Sequence, residues 1–211
     1  MRFAFVLVTA FVVSAGTASA QEGIVFGAKA GVNFSNISFD EQDVDDEFFG
    51  DTSTRTGLLV GVFASVPVNP RFSFQPEFLY IQKGASFEAE GVDGTLKLDY
   101  FELPLLADVR LNNGPNRVSL MAGPSFAFRS QAKVEGEGSD DVQAEVDIED
   151  EVEGIDFGFA VGIAVRMRNN VVVDGRYTWG LRNIDKADDS DDATVKNRAF
   201  SISVGWRFGP R

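Results

Sequence analysis

The sequence predicts an all-β fold, an eight-stranded antiparallel up-and-down barrel, and three observations support this prediction. Apolar side chains recur at every second position along most of the chain, as in "IDFGFAVGIAVRM" at residues 155–167. Such a period of two is typical of strands with one apolar and one polar face, whereas an amphipathic helix has a period near 3.6. Eight segments carry the pattern, and the connections between them are alternately short and long. This alternation is typical of a meander of antiparallel strands.

The eight predicted strands share one design, in which apolar and aromatic residues alternate with glycine, serine or charged residues. The alternation is nearly complete in residues 24–34, whereas in residues 56–66 Leu59 and Phe63 lie on the otherwise small face. β-Branched and aromatic residues suit a pleated, half-buried surface. The predicted strands cover residues 24–34, 56–66, 72–82, 95–110, 118–132, 155–167, 171–182 and 198–208.

Two kinds of irregularity interrupt these strands. Leu98 is out of phase with the apolar residues that follow it, which predicts a bulge or a change of environment near Asp99. Pro76, Pro104 and Pro124 lack the amide that a ladder hydrogen bond needs, and a closed barrel has no edge strand where that loss is harmless. We therefore expect local bulges at the three prolines.

The connections differ in length and in charge. Those after the second, fourth and sixth strands, at residues 68–71, 111–117 and 168–170, are tight and rich in turn formers. Alternate connections of a meander lie at the same end, so the remaining four share the other end. They hold 25 of the chain's 32 acidic residues, which predicts acidic extracellular loops there. These long connections span residues 39–54, 84–94, 134–154 and 185–197.

The strand length and the connection pattern match a transmembrane barrel of the bacterial outer membrane. About 9 to 11 tilted residues cross the hydrocarbon layer, and closure satisfies every strand edge. The alternative is a soluble barrel of the lipocalin kind, whose apolar face would point inward around a ligand. An eight-stranded barrel has an interior just wide enough for side chains to fill it. The many large aromatic residues of the apolar face therefore favour the outward orientation.

Aromatic residues near the strand ends support the membrane assignment, because membrane barrels carry aromatic girdles at both interfaces. We expect the following residues to face lipid: Phe72, Phe74, Tyr80, Phe157, Phe159, Tyr177, Trp179, Trp206 and Phe208. The opposite face is small and polar and carries charges of both signs, as a crowded lumen with paired charges requires. The predicted lumen charge network comprises Lys29, Glu77, Glu102, Asp108, Arg110, Arg129, Asp156, Arg166, Asp174, Arg176, Arg182 and Arg207.

Residues 1–20 are predicted to be a cleaved secretory signal peptide. Arg2 provides a basic start, residues 3–15 an apolar run, and residues 18–20 a small-residue cleavage site. The apolar run is shorter than the roughly 20 residues that a spanning helix needs. The barrel domain therefore covers residues 21–211, and the predicted location is the outer membrane of a Gram-negative bacterium.

Composition argues against several functions. Cysteine is absent, so no disulfide framework holds the fold and no thiol does chemistry. The net charge of -13 is unsuited to sequence-independent nucleic-acid binding, which needs a cationic surface. Histidine is absent too, and a Ser-His-Asp arrangement cannot be assembled without it.

Carboxylate chemistry and metal binding are the remaining chemical alternatives. Glu77 and Glu102 could serve as acid and base on adjacent strands, but lumen carboxylates neutralised by arginines are the simpler interpretation. The acidic segments 40–47 and 188–192 offer oxygen ligands yet lack the glycine and terminal glutamate of an EF-hand loop. The sequence therefore predicts no enzyme, no cofactor and no dedicated metal site, with at most weak binding of divalent cations at the loops.

Five phrases of the sequence together resemble the outer-membrane beta-barrel domain family often labelled porin-like or PorT-like: "GAKAGVNFSNI", "FQPEFLYIQKGASF", "YFELPLLADVRL", "AGPSFAF" and "VDGRYTWGLRNI". They follow the family's order and span residues 27–184. The resemblance implies an outer-membrane barrel and no reaction. Such chains often end on an aromatic residue that the barrel-assembly machinery reads. Here three residues follow Phe208, so that signal is displaced.

Two functions are compatible with such a barrel in contact with outer-membrane lipid. The first is a structural and interaction module whose lumen is plugged by salt bridges and whose acidic loops meet the outside. The second is a narrow pore for small solutes or ions. The first is preferred because eight strands leave little free bore. A soluble carrier of an apolar ligand is a third, weaker alternative.

Overall fold

The computed structural model describes residues 23–40, 53–89, 92–114, 116–137, 143–147, 154–181 and 194–208. They form nine strands: β1 (Val25–Asp40), β2 (Ser53–Pro67), β3 (Phe72–Ala89), β4 (Val92–Arg110), β5 (Arg117–Glu137), β6 (Gln143–Asp147), β7 (Ile155–Arg166), β8 (Val171–Gly180) and β9 (Thr194–Phe208). In this described part of the chain, no helix has the length and apolar character needed to cross a membrane.

Eight of these strands close into one antiparallel barrel. Around the ring the order is β1, β2, β3, β4, β5, β7, β8 and β9, and β9 pairs again with β1. Neighbours in the ring follow one another along the chain, apart from the short β6, which pairs only with the far end of β5. The predicted eight-stranded up-and-down barrel is confirmed.

The alternation along each strand separates an outer from an inner face. Val62, Ile163 and Val204 point outward and are each more than half exposed. Their neighbours along the strands, such as Phe63 and Ala164, are buried inside. A soluble lipocalin-type barrel would place its large apolar residues inside, so the observed orientation is that of a barrel that contacts lipid.

The short connections lie together at one end of the barrel, which we call the turn end; the opposite end is the loop end. In the turn between β7 and β8, Met167 N donates to Val171 O at 2.8 Å, and Val171 N donates to Asn169 Oδ1 at 3.3 Å. Asn170 has a φ of 68°, a left-handed conformation that asparagine tolerates better than most residues. These turns agree with the prediction of tight connections.

Strands extend into all four predicted long connections at the loop end, and furthest into two of them. Residues 84–94 were expected to form a loop, but β3 and β4 extend into this segment and pair as far as Ala89 opposite Val92. In the predicted loop 134–154, β5 continues to Glu137 and pairs with β6. The prediction was wrong there because glycine and acidic residues were taken as loop formers. Such residues are tolerated in strands that are hydrogen-bonded to a neighbouring strand.

The predicted irregularity near Asp99 is confirmed as a bulge. The register between β4 and β5 shifts between Asp99, which pairs with Gln131, and Tyr100, which pairs with Arg129. Ser130 is therefore the extra residue, and it lies in β5. The alternation within β4 continues without a break, and Leu98 therefore lies on the lumen face. An apolar residue fits this position because the lumen is apolar at this height.

The expected bulges at the three prolines are not present. Each proline interrupts pairing with one neighbouring strand only, and pairing resumes in the same register on both sides. The prediction was wrong because a missing amide removes one ladder bond without requiring an inserted residue. At Pro76, residues 75–76 of β3 do not pair with residues 64–65 of β2. At Pro104, residues 103–104 of β4 do not pair with residues 77–78 of β3. At Pro124, residues 123–124 of β5 do not pair with residues 105–106 of β4.

The ladder between β2 and β3 is interrupted over residues 55–58, and side chains replace part of it. Asn33 of β1 reaches across the lumen side and donates from Nδ2 to Gln82 O at 2.9 Å. Ser35 donates from Oγ to Gly84 O at 3.0 Å. Buried backbone carbonyls need such partners, so these two side chains tie β1 directly to β3.

Candidate functional site

Four charged side chains meet at the centre of the lumen: Lys29 of β1, Glu77 of β3, and Asp174 and Arg176 of β8. Lys29 Nζ lies 2.9 Å from Glu77 Oε1 and 3.1 Å from Asp174 Oδ2. Arg176 Nη1 lies 2.8 Å from Glu77 Oε2, and Arg176 Nη2 lies 3.0 Å from Asp174 Oδ1. The two cations and two carboxylates thus alternate in a closed ring across the bore, which we call the central network.

Every carboxylate oxygen of the central network accepts a hydrogen bond. Beyond the four members, Gln75 Nε2 donates to Glu77 Oε1 at 2.8 Å and Ser203 Oγ donates to Asp174 Oδ2 at 2.6 Å. The four charged residues are at most 5% exposed. Burying charges is costly unless the remaining polar atoms are also paired, and the central network meets this condition for its carboxylates.

A second ion pair lies nearer the turn end, between Arg166 of β7 and Asp108 of β4. The contact is bidentate, with Arg166 Nη1 donating to Asp108 Oδ1 at 3.1 Å and Nη2 to Oδ2. Ser119 Oγ donates to Asp108 Oδ2 at 2.9 Å, and Arg166 Nη2 donates to Gln75 Oε1 at 3.2 Å. Gln75 therefore connects this pair to the central network. Buried apolar residues fill the same half of the lumen: Phe63, Leu106, Met121, Ala160, Ala164 and Val172.

A third charged group, nearer the loop end, comprises Lys83, Glu102, Asp156 and Asn197; we call it the upper cluster. Lys83 Nζ lies 2.7 Å from Glu102 Oε2, and Ser125 Oγ donates to Glu102 Oε1 at 2.7 Å. Asn197 Nδ2 donates to Asp156 Oδ2 at 3.0 Å. Asp156 Oδ1 and Asn197 Oδ1 have no hydrogen-bond partner among the described residues. The pairing of the upper cluster is therefore incomplete.

The upper cluster borders a small cavity. Its volume is about 10 Å³, which is room for about one water molecule. Lys83 Nζ lies 5.3 Å from the centre of the Tyr100 ring, a cation–π contact. Apolar residues pack around Tyr100: Leu59, Leu79, Ile81, Ala85, Leu98, Ala127 and Ala132. Buried side chains thus lie along the lumen from the Arg166–Asp108 pair to this cluster.

Eight of the predicted lumen charges are buried inside the barrel: Lys29, Glu77, Glu102, Asp108, Asp156, Arg166, Asp174 and Arg176. Arg110, Arg129 and Arg207 occupy lumen-facing positions and are partly exposed. Arg182 lies outside the described residues. Sequence reasoning missed Lys83, because the third strand was predicted to end at residue 82. The alternation from Glu77 onward places Lys83 on the same face and is the signal that identifies it.

The predicted aromatic residues lie on the outer face in two bands. Those nearer the turn end are Phe72, Phe74, Trp206 and Phe208. Those nearer the loop end are Tyr80, Phe157, Phe159, Tyr177 and Trp179. This is the arrangement expected of residues that sit at the two membrane interfaces.

Four of the five buried lumen carboxylates among the predicted residues are ion-paired within the described part of the chain, and Asp156 is the exception. Glu77 contacts Lys29 and Arg176, whereas Glu102 contacts Lys83, so the two glutamates belong to separate charge groups. Within the described residues, no group of three or more acidic, cysteine or histidine residues could hold a metal ion. The acidic segment 188–192, and segment 40–47 apart from Asp40, lie outside those residues.

Comparisons with known proteins agree with this architecture. The chain matches the family described as "Outer membrane protein beta-barrel domain" over residues 19–186. No curated protein has a matching sequence.

Three solved structures illustrate the similarity. OprG from Pseudomonas aeruginosa has a TM-score of 0.52 and 10% identity, with 89% of this chain and 97% of that chain covered. Ail of Yersinia pestis has a TM-score of 0.47 and 16% identity, with 89% and 100% covered. The outer membrane enzyme PagL has a TM-score of 0.38 and 10% identity, with 87% and 99% covered. The family match spans more than half of the chain, and the protein therefore belongs to the outer-membrane β-barrel family.

Proposed function

We propose that this protein is a non-enzymatic outer-membrane barrel whose lumen is closed and which acts as a structural and interaction module through its loop end. The observation that carries the proposal is the central network. Its two cations and two carboxylates join β1, β3 and β8 across the bore, and all of its carboxylate oxygens are paired.

Two arguments support a closed lumen: the narrow width of the bore and the free-energy cost of separating buried charges. Eight strands leave an interior just wide enough for side chains, and apolar side chains fill it on both sides of the central network. Opening a path for ions would separate buried charges, and breaking one buried pair typically costs about 3 to 5 kcal/mol. Transient opening of the central network is therefore rare.

The interaction role rests on the distribution of charge. The four loop-end segments 39–54, 84–94, 134–154 and 185–197 hold 25 of the 32 acidic residues, in connections and in the strand ends that extend into them, and the loop end of such barrels faces outward from the cell. An acidic rim attracts cationic partners and divalent cations and repels anions. Glu77, Glu102, Asp108 and Asp174 already hold cations, so these four carboxylates lack the free acid and base that hydrolysis requires.

Planar-bilayer conductance of the purified, folded protein tests the closed lumen. We expect no unitary current steps. A heat-dependent shift in gel mobility of the same sample would establish that the inserted protein is a folded barrel. Stable unitary steps from such a sample would contradict the proposal.

A narrow pore is the second candidate, and the cavity beside the upper cluster is the observation that favours it. Ala199 lines that cavity and is 4% exposed, so Ala199→Leu fills it. If the wild-type protein conducts and Ala199→Leu abolishes the current, the pathway runs through the upper cluster and the protein is a pore. If neither the wild-type protein nor Ala199→Leu conducts, the closed-lumen proposal stands.

A further inference from the structure

A groove crosses the outer wall of the barrel near the loop end, on strands β2, β1, β9 and β8. It is a shallow depression, open on the outside, with a volume of about 370 Å³. The side chains that line it from the outer face are Phe34, Asn36, Thr54, Tyr177, Arg198 and Phe200. We call it the wall groove.

The wall groove is aromatic at its base and polar toward the loop end. The rings of Phe34 and Phe200 are stacked with centroids 6.5 Å apart, and Tyr177 contacts Trp179 with centroids 4.6 Å apart. Arg198 is exposed and lies two residues beyond Phe200 toward the loop end. Aromatic rings at the membrane interface with a cation just above them suit an amphipathic molecule with an anionic head.

The wall groove continues toward the turn end as an apolar strip. Gly175 pairs with Ile202, and Ile202 pairs with Val32 on the other side. Ile202 and Val32 are 43% and 42% exposed. A Cβ atom at Gly175 would meet no heavy atom within 4 Å, so the surface there is open. An acyl chain lying along this strip would continue into the aromatic base of the groove.

The position of the wall groove decides the class of molecule that can reach it. The outer wall of a membrane barrel is covered by lipid, so an occupant enters from the bilayer. The long loops of such barrels face the cell exterior, which places the groove in the outer leaflet. In Gram-negative outer membranes this leaflet consists largely of phosphorylated glycolipid. The guanidinium group presents five donors in a fork that matches phosphate oxygens.

We propose that the wall groove binds the phosphorylated headgroup of an outer-leaflet glycolipid. Arg198 contacts a phosphate, the aromatic base supports the sugar and the adjoining acyl chain, and that chain lies over Gly175 and Ile202. This site is independent of whether the lumen conducts.

Native mass spectrometry of the detergent-solubilised protein, titrated with bisphosphorylated lipid A, tests the proposal. We expect Arg198→Ala to weaken binding about tenfold or more, as the loss of a charge-assisted hydrogen bond predicts. Gly175→Phe fills the strip and should also weaken binding. Both variants should keep the heat-dependent gel shift of the wild type, because neither residue is buried in the lumen.

Lys97→Ala is the matched control. Lys97 is a partly exposed cation on the outer face of β4, near the loop end, and it is ion-paired with Glu135. It lies far around the wall from β9, so its removal should leave lipid A binding unchanged. Equal weakening by Lys97→Ala and Arg198→Ala would overturn the proposal, because it would show a general effect of net charge.

A second titration distinguishes the source of the phosphate. Phosphatidylglycerol offers one phosphate on a glycerol backbone and no sugar rings. We expect it to bind more weakly than lipid A and to depend less on Arg198. Equal affinity for both lipids, or binding of lipid A that is unaffected by Arg198→Ala, would contradict a glycolipid site.

Discussion

The central network and the upper cluster place similar charged groups in the same lumen, yet they differ in how completely those groups are paired. In the central network, Lys29 and Arg176 bridge two carboxylates, and all four carboxylate oxygens accept hydrogen bonds. In the upper cluster, Lys83 contacts Glu102, while one oxygen each of Asp156 and Asn197 is unpaired among the described residues. The comparison teaches that charges in one lumen can differ widely in how completely they are paired.

This difference separates two roles. The central network cross-links three strands through paired charges, and we expect it to stabilise the barrel. The upper cluster borders the cavity of about 10 Å³ and can change its pairing at lower cost. If the lumen opens at all, the upper cluster is where opening begins.

The largest effect is expected from reversing Arg176. Arg176→Glu places a third carboxylate against Glu77 and Asp174, and we expect loss of the heat-dependent gel shift or a large fall in the unfolding midpoint in detergent. Loss of one partner of a buried pair typically costs about 3 to 5 kcal/mol, and reversal adds repulsion.

Asp189→Lys is the comparison for this reversal. Asp189 belongs to the acidic segment 188–192 at the loop end, where we expect solvated charges whose reversal costs little. Equal unfolding midpoints for Arg176→Glu and Asp189→Lys would show that the lumen and solvent faces have been assigned the wrong way round.

A smaller effect, and a sharper comparison, is expected from neutralising one carboxylate in each group. Glu77→Gln leaves two cations, Lys29 and Arg176, with only Asp174, whereas Glu102→Gln removes the carboxylate from one cation, Lys83, and from Ser125. We expect Glu77→Gln to lower the free energy of unfolding by roughly 2 kcal/mol more than Glu102→Gln. Urea unfolding followed by tryptophan fluorescence measures both, since Trp179 and Trp206 face outward. A larger loss for Glu102→Gln would reverse the ranking of the two groups.

The smallest effect is expected at Asp156. Its side chain accepts a hydrogen bond from Asn197 only through Oδ2, and the other oxygen is unpaired among the described residues. Asp156→Asn removes a buried charge and keeps the shape, so the change in unfolding free energy should lie within about 1 kcal/mol of zero. A loss as large as that of Glu77→Gln would indicate that Asp156 is fully paired and that the upper cluster is as tightly held as the central network.

The period-two pattern was enough to predict the strands and their faces. The alternation around Ile163 and Val204 separates the two faces, because a pleated strand has only two. The bulk of the aromatic residues was needed to decide which face meets lipid. The out-of-phase Leu98 marked a change in the lumen, which is apolar at that height, whereas the bulge itself lies at Ser130 of β5. The bulges expected at Pro76, Pro104 and Pro124 were wrong, because the ladder loses single bonds there and keeps its register.

The pairing inside the lumen was less accessible from the sequence. Alternation identifies Lys29, Glu77 and Arg176 as inward residues, but their contacts depend on the tilt and register of strands that are far apart in the chain. Lys83 was missed because the strand ends were predicted too early, and the same error concealed the upper cluster. The contacts of Asn33 with the β3 backbone arise from the interrupted ladder between β2 and β3, which no local pattern signals.

Double-mutant cycles on the two charge groups test the central claim most directly. They compare Glu77→Gln with Arg176→Met and Glu102→Gln with Lys83→Met, each singly and combined, by unfolding free energy in detergent. We expect a coupling energy of about 2 kcal/mol or more for Glu77 with Arg176 and about 1 kcal/mol or less for Lys83 with Glu102. Equal coupling energies, or a larger one for Lys83 with Glu102, would contradict the claim that the central network is the more tightly paired of the two groups and stabilises the barrel more.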